Sequence, residues 1–308
     1  MSDGDSLKQQ TVRGTIWSAI ERFSVQGIQF IILIVMARVL TPSDYGIVGM
    51  LTIFLAISQS LIDSGFSNAL IQKIDRTETD YATVFYFNIA VGGILYGIMY
   101  FSASGIADFY DIPELISVTR IISLLLLINS LSIVQRAIFT IRIDFKTQAK
   151  ASLIAVVISG IVGISMAYSG YGVWSIVAQT LVNQGLCTIL LWFFSQWVPK
   201  WTFSYNSFKQ LFSFGSKLMV VGILDTLYRN IYTIVIGKKY SAANLGFYTR
   251  AEQFAQFPTS NFTGIMQRVT FPVLSQLQNE EERLPIAYIK ILRMSAFLIF
   301  PLGVGLAC

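Results

Sequence analysis

Arginine, glutamine and carboxylate side chains stand inside stretches of this chain that are otherwise apolar. Thr15, Ser18, Arg22, Gln26 and Gln29 follow one another at three- and four-residue steps, which places them in one polar stripe along a helix, with Glu21 beside it. Gly222, Asp225, Arg229 and Thr233 form a second such stripe. Asp63 closes another apolar stretch, and Arg250 and Glu252 stand near the start of a further one. Charge inside an apolar span is costly, so such groups face a hydrated cavity or a partner ion. Two kinds of chemistry are open to them. Arg22, Gln26, Gln29, Arg229 and Arg250 suit the handling of a polar cargo during translocation. Glu21, Asp63, Asp225 and Glu252 suit ion coupling, or simple neutralisation of those arginines as structural ion pairs. Asp225 and Arg229, four apart, can pair within one helix.

Other chemistry is excluded by what the chain lacks. It has no histidine, which removes His-based acid-base catalysis and the commonest neutral metal ligand. Its two cysteines, Cys187 and Cys308, give neither a disulfide framework nor metal-ligand spacing. No glycine-rich phosphate loop occurs, and no loop between apolar stretches is long enough to hold a catalytic domain. The expectation is a protein that is not an enzyme and needs no cofactor.

The elements that must position these residues are membrane spans. Apolar residues make up 54% of the chain, charged residues 13%, and mean hydropathy is +0.62, far from a soluble protein. With about 20 apolar residues needed per span, spans are expected near 14–36, 45–66, 82–105, 115–137, 150–168, 172–194, 211–236, 246–270 and 286–308. The fold class is therefore an all-α integral membrane bundle of about nine spans. Lys8, Arg13, Lys73, Arg76, Arg142 and Lys146 represent one side of the membrane, which also takes Arg136, whereas the other carries only Arg38, Lys238 and Lys239. That asymmetry makes the N-terminus cytoplasmic. It also accounts for the pI of 9.1, so no nucleic-acid partner is implied. In the fifth span Ala151, Ala155, Ser159, Gly163 and Ala167 recur every four residues, a small face suited to close helix packing. The stretch from Ser195 to Lys209, with Phe203, Tyr205 and Phe208, reads as a linker lying along the membrane surface.

The chain also repeats itself. Arg38 to Ile47 aligns with Lys238 to Phe247 at an offset of 200, with cation, hydroxyl, small residue, Asx and Gly recurring in order. Six spans separate the copies, an even number, so the halves enter the membrane from the same side and relate by an axis along its normal. Such duplication points to a transporter with a six-helix lobe over residues 1–205 and the first three helices of a second, truncated lobe over 206–308. Under the offset Arg229 falls on Gln29, and the first, second, seventh and eighth helices are the candidates to line a cavity.

Four stretches carry a family resemblance: Arg38 to Gly46, Ile141 to Lys146, Leu245 to Ala251, and Arg268 to Gln278. In these the chain resembles the Wzx-type lipopolysaccharide and polysaccharide (O-antigen) flippases, the polysaccharide-transporter branch of the multidrug/oligosaccharidyl-lipid/polysaccharide exporter superfamily. The resemblance implies two complete lobes in the whole protein. It implies translocation of an undecaprenyl-pyrophosphate-linked oligosaccharide across the bacterial inner membrane by alternating access, for cell-surface polysaccharide biosynthesis. It also implies membrane lipid and polysaccharide polymerase or ligase machinery as partners. Arginines would then serve the pyrophosphate, and Gln, Asn and Ser the sugar hydroxyls. A second reading is a cation-coupled exporter of small amphipathic molecules, using Glu21, Asp63 or Asp225 as the coupling site. A third, a membrane glycosyltransferase, would lean on Asp108, Asp111 and Glu114, which loop-tip solvation explains as well.

Overall fold

Long apolar runs broken by short polar turns produce helices and nothing else among the described residues. The computed structural model describes residues 23–63, 65–252, 270, 274–275, 283–290, 292–293 and 296–297. In chain order the helices are α1 (Phe23–Ala37), α2 (Pro42–Asp63), α3 (Phe66–Gln72), α4 (Glu78–Tyr110), α5 (Leu115–Ile122), α6 (Leu124–Ile141), α7 (Phe145–Tyr168), α8 (Val173–Ser195) and α9 (Tyr205–Lys239). A further helix, α10, occupies 242–252. Six helical segments among these residues are long and apolar enough to cross a membrane. The expected first, eighth and ninth spans run into residues outside the described set.

The expected fourth span is present as one apolar segment, Leu115–Ile141, with Ser123 as a single turn residue between α5 and α6. The Ser123 N–H, at 3.1 Å, and its hydroxyl, at 2.6 Å, both donate to the Thr119 carbonyl. A serine bonded back to the preceding turn competes with the helix ladder there. Arg136, counted above with one side of the membrane, lies inside α6, where its Nη2 contacts the Cys187 sulfur at 3.8 Å.

α4 and α6 pack through small residues. A side chain at Gly92 would meet the Ser130 side chain at 2.9 Å. One turn along α4, Asn88 is fully buried and neither of its amide atoms has a hydrogen-bond partner in this structure. An unpaired buried amide costs about 1–3 kcal/mol. Asn88→Leu is therefore expected to raise the melting temperature in detergent; a lowered one would mean that the amide is satisfied in solution.

The small face of the fifth span, now α7, is buried at all five positions, Ala151, Ala155, Ser159, Gly163 and Ala167. It packs against α8, and Asn183 Nδ2 donates to Ser159 Oγ at 3.1 Å across that contact. The chain is non-helical over 196–204, within the expected linker, and docks on the start of α4. Trp197 Nε1 donates to Glu78 Oε2 at 3.0 Å and the Ser204 N–H donates to Thr83 Oγ1 at 3.1 Å. Phe208 and Phe212 pack tilted on Phe66, with ring centroids 5.9 and 6.0 Å away. They join the apolar cluster around Phe66 and Phe85.

Candidate functional site

The turn leading into α2 and the turn leading into α10 are built alike. Asp44 N–H donates to Thr41 Oγ1 at 3.3 Å, and Asn244 N–H donates to Ser241 Oγ at 3.3 Å. Hydroxyl residues here satisfy helix-start donors that have no partner within the helix. The two helix starts then touch each other. A side chain at Gly46 would collide with the Ala242 carbonyl, and one at Gly246 with the Pro42 carbonyl. Shifting each number by 200 turns one contact into the other, so the crossing is its own image under the repeat. Only glycine lets the backbones come this close. At the same end of the bundle Lys238 of α9 donates to the Phe109 carbonyl and reaches Asp111 Oδ2 at 3.4 Å. Asp111 caps α4 in the left-handed region, φ 57°, so this loop acid has a structural part beyond solvation.

Two chambers open beside that crossing and share Tyr45, Ile176 and Arg250 on their walls. Arg250 is half-buried, with its guanidinium carbon 3.8 Å from the centre of the Tyr45 ring. A cation over an aromatic face is attracted by the ring quadrupole, which holds the guanidinium at the boundary between the chambers. The first chamber, about 290 Å³, lies between α1 and α8 and is lined by Gln26, Gln29, Gln179, Thr180 and Asn183 among others. The second, about 430 Å³, lies between α2, α9 and α10, with Thr52, Arg229, Asn230, Thr233 and Glu252 on its wall.

Of the residues singled out in the sequence, Gln26, Gln29, Arg229, Arg250 and Glu252 thus gather around one region. Asp225 and Asp63 line neither chamber. Asp225 instead accepts from Arg229 Nε through both oxygens, at 3.0 and 2.8 Å, the intrahelical pair weighed above. Asp63 lies beside Gln59, whose Oε1 accepts from Asn129 Nδ2 at 2.7 Å. Arg22 and Glu21 lie outside the described residues. Sequence reasoning placed α8 as a span but missed its part in the chamber wall: Gln179 and Asn183, four apart on one helix face, were the signal.

Residues 35–308 match the family described as "Polysaccharide biosynthesis protein". The chain belongs to that family. Among similar members of this polysaccharide-biosynthesis family is the teichuronic acid biosynthesis protein TuaB of Bacillus subtilis (strain 168). It is 29% identical over 304 residues, which cover 98% of this chain and 63% of TuaB. The succinoglycan biosynthesis transport protein ExoT of Rhizobium meliloti (strain 1021) is 25% identical, covering 96% of this chain and 60% of ExoT. The lipopolysaccharide biosynthesis protein WzxC of Escherichia coli (strain K12) is 24% identical, covering 98% and 62%. The chain therefore spans about three-fifths of the length of these relatives. No solved structure matches it.

Proposed function

We propose that this polysaccharide-biosynthesis family member is a flippase. It carries undecaprenyl-pyrophosphate-linked oligosaccharide from the cytoplasmic to the outer leaflet of the bacterial inner membrane, with its N-terminus in the cytoplasm. The observation that carries the reading is the second chamber, where Arg229 and Arg250 stand together at the joint between the two copies of the repeat. A pyrophosphate and several sugars cannot cross about 30 Å of hydrocarbon unaided. Guanidinium groups hold phosphate with paired hydrogen bonds. The pair with Asp225 engages Arg229 through Nε and does not spend its Nη donors.

In this reading residues 1–205 form one lobe and 206–308 begin the other, and the cargo head passes between them by alternating access. Arg22 meets the head group from the cytoplasmic side, Gln26 and Gln29 line its route, and Arg229 with Arg250 holds it in the outward-open state. Asp63 and Glu252 are the candidates for coupling to an ion. Relatives named for teichuronic acid, succinoglycan and lipopolysaccharide biosynthesis weigh against the small-molecule exporter. Polymerase or ligase machinery would take the delivered product on the far side.

The test follows the leaflet location of lipid-linked oligosaccharide in a strain lacking the gene. Accumulation on the cytoplasmic side, relieved by the natural reading frame, is expected. Arg22→Gln or Arg229→Gln should cut export at least about 10-fold, the loss of one charge-assisted bond, at unchanged membrane levels. Normal export by both variants would remove these arginines from the route, and unchanged lipid-linked sugar with altered drug efflux would remove the flippase reading itself.

A further inference from the structure

The two chambers each have one wall built from the same positions of the repeat, on α1 in one and α9 in the other, and these walls differ in chemistry. Under the 200-residue offset Gln29 corresponds to Arg229, Phe30 to Asn230 and Leu33 to Thr233, and each member of these pairs lines its own chamber. The α9 copy is charged and polar. The α1 copy has amides and apolar surface, and Arg250, shared at the boundary, is the sole formal charge among its described lining residues. A site for pyrophosphate needs fixed cations, because burying an anion against neutral amides leaves its charge uncompensated. A site for sugar needs the reverse: amides that both donate and accept toward hydroxyls, set between apolar surfaces that take the ring faces.

We infer that the chamber between α1 and α8 is the glycan subsite of the transporter, in which Gln29, Gln179 and Asn183 select a hydroxyl-rich, uncharged stretch of the cargo. The Arg229–Arg250 chamber holds the adjoining pyrophosphate. The assignment rests on the flippase reading and adds to it a division of labour between the copies. It also gives α7 a task beyond packing. Three small residues of α7, Ser159 and Gly163 of the small face and Gly160 beside it, each support one part of the chamber wall. The Ser159 hydroxyl accepts from Asn183 Nδ2 and so fixes that amide. The missing side chain of Gly163 leaves room for the Gln179 stem, whose Cβ would otherwise lie 2.9 Å away. The missing side chain of Gly160 leaves room for Ile32 of α1. Donors held in place in advance lose little freedom when a sugar binds, which favours discrimination between glycans.

The test uses the natural full-length protein in lipid nanodiscs and two probes: undecaprenyl pyrophosphate without sugar, and the lipid-linked oligosaccharide extracted from the host strain. Gln29→Leu and Gln179→Leu are each expected to weaken binding of the glycan-bearing lipid about 5- to 10-fold, the value of a neutral hydrogen bond in a site built to make it. Binding of the sugar-free lipid should stay within about 2-fold, which also reports that the variants are folded. Arg250→Gln should weaken both. Equal weakening of the two lipids by the glutamine variants, or no change in either, would overturn the glycan subsite. If the unaltered protein binds neither lipid, the flippase reading itself fails, before any variant is compared.

Discussion

Gly46→Val and Gly246→Val should each abolish export and lower the melting temperature in detergent, and they should do so to a similar extent. At both positions the added side chain meets backbone, the Ala242 carbonyl in one case and the Pro42 carbonyl in the other. A side-chain neighbour can change rotamer; a carbonyl in the first turn of a helix moves only if the helix moves. Overpacking of this kind costs about 1–3 kcal/mol or more, and here the strain falls on the contact between the two copies of the repeat. Gly97→Val is the control, since nothing lies within 4 Å of the position its Cβ would take. Thermal melting and the leaflet assay, run on all three variants, decide the matter. A Gly46 variant that behaves like the Gly97 variant would mean the crossing is not made in the membrane.

The second large effect is expected at Asp80, in the first turn of α4. Its side chain is 1% exposed, and Oδ2 accepts from Lys73 Nζ at 2.8 Å and from the Thr77 N–H at 2.8 Å. The Asp80 N–H in turn donates to Thr77 Oγ1 at 3.3 Å, completing a reciprocal cap. Asp80→Ala removes the cap and leaves the largely buried Lys73 ammonium without its counter-charge, a loss of about 3–5 kcal/mol for such a pair. The linker from α8 to α9 is bonded to Glu78 and Thr83 on either side of Asp80, so the damage should reach α9 as well. Limited proteolysis within 196–204 should become faster. Lys73→Met in the Asp80→Ala background should recover part of the stability, because it removes the stranded charge. No recovery would mean that the cap, and not the ion pair, dominates.

Much of this molecule could be read from its residues because the membrane imposes simple rules. Among the described residues six span positions followed from apolar length, and the repeat was visible because helix starts need a hydroxyl and a backbone crossing needs glycine, which keeps Thr41 and Gly46 in step with Ser241 and Gly246. The small face of α7 was legible for the same steric reason. Contacts between residues far apart in the chain were not. Trp197 and Glu78 lie 119 residues apart, and nothing local in the linker reveals that it docks on α4. The turn residue at Ser123 was hidden because the apolar run continues through it unbroken. The α8 wall was missed because Gln179, Thr180 and Asn183 are uncharged, and attention to cost in a membrane favours charges.

α9 is 35 residues long, and a helix of that length is a rod of about 52 Å. Its Lys238 end is tied to α4 beside the Gly46–Gly246 crossing, and its Tyr205 end is tied as well, through Phe208 and Phe212 against Phe66 and the Ser204 N–H bonded to Thr83 Oγ1. A rod held near both ends is a strut. A rotation of about 15° about the crossing, the size known for subunits turning about an interface, would carry the Tyr205 end of a rod about 52 Å long through about 14 Å. Any such tilt must part the Phe66 and Thr83 contacts, and their strength sets its cost.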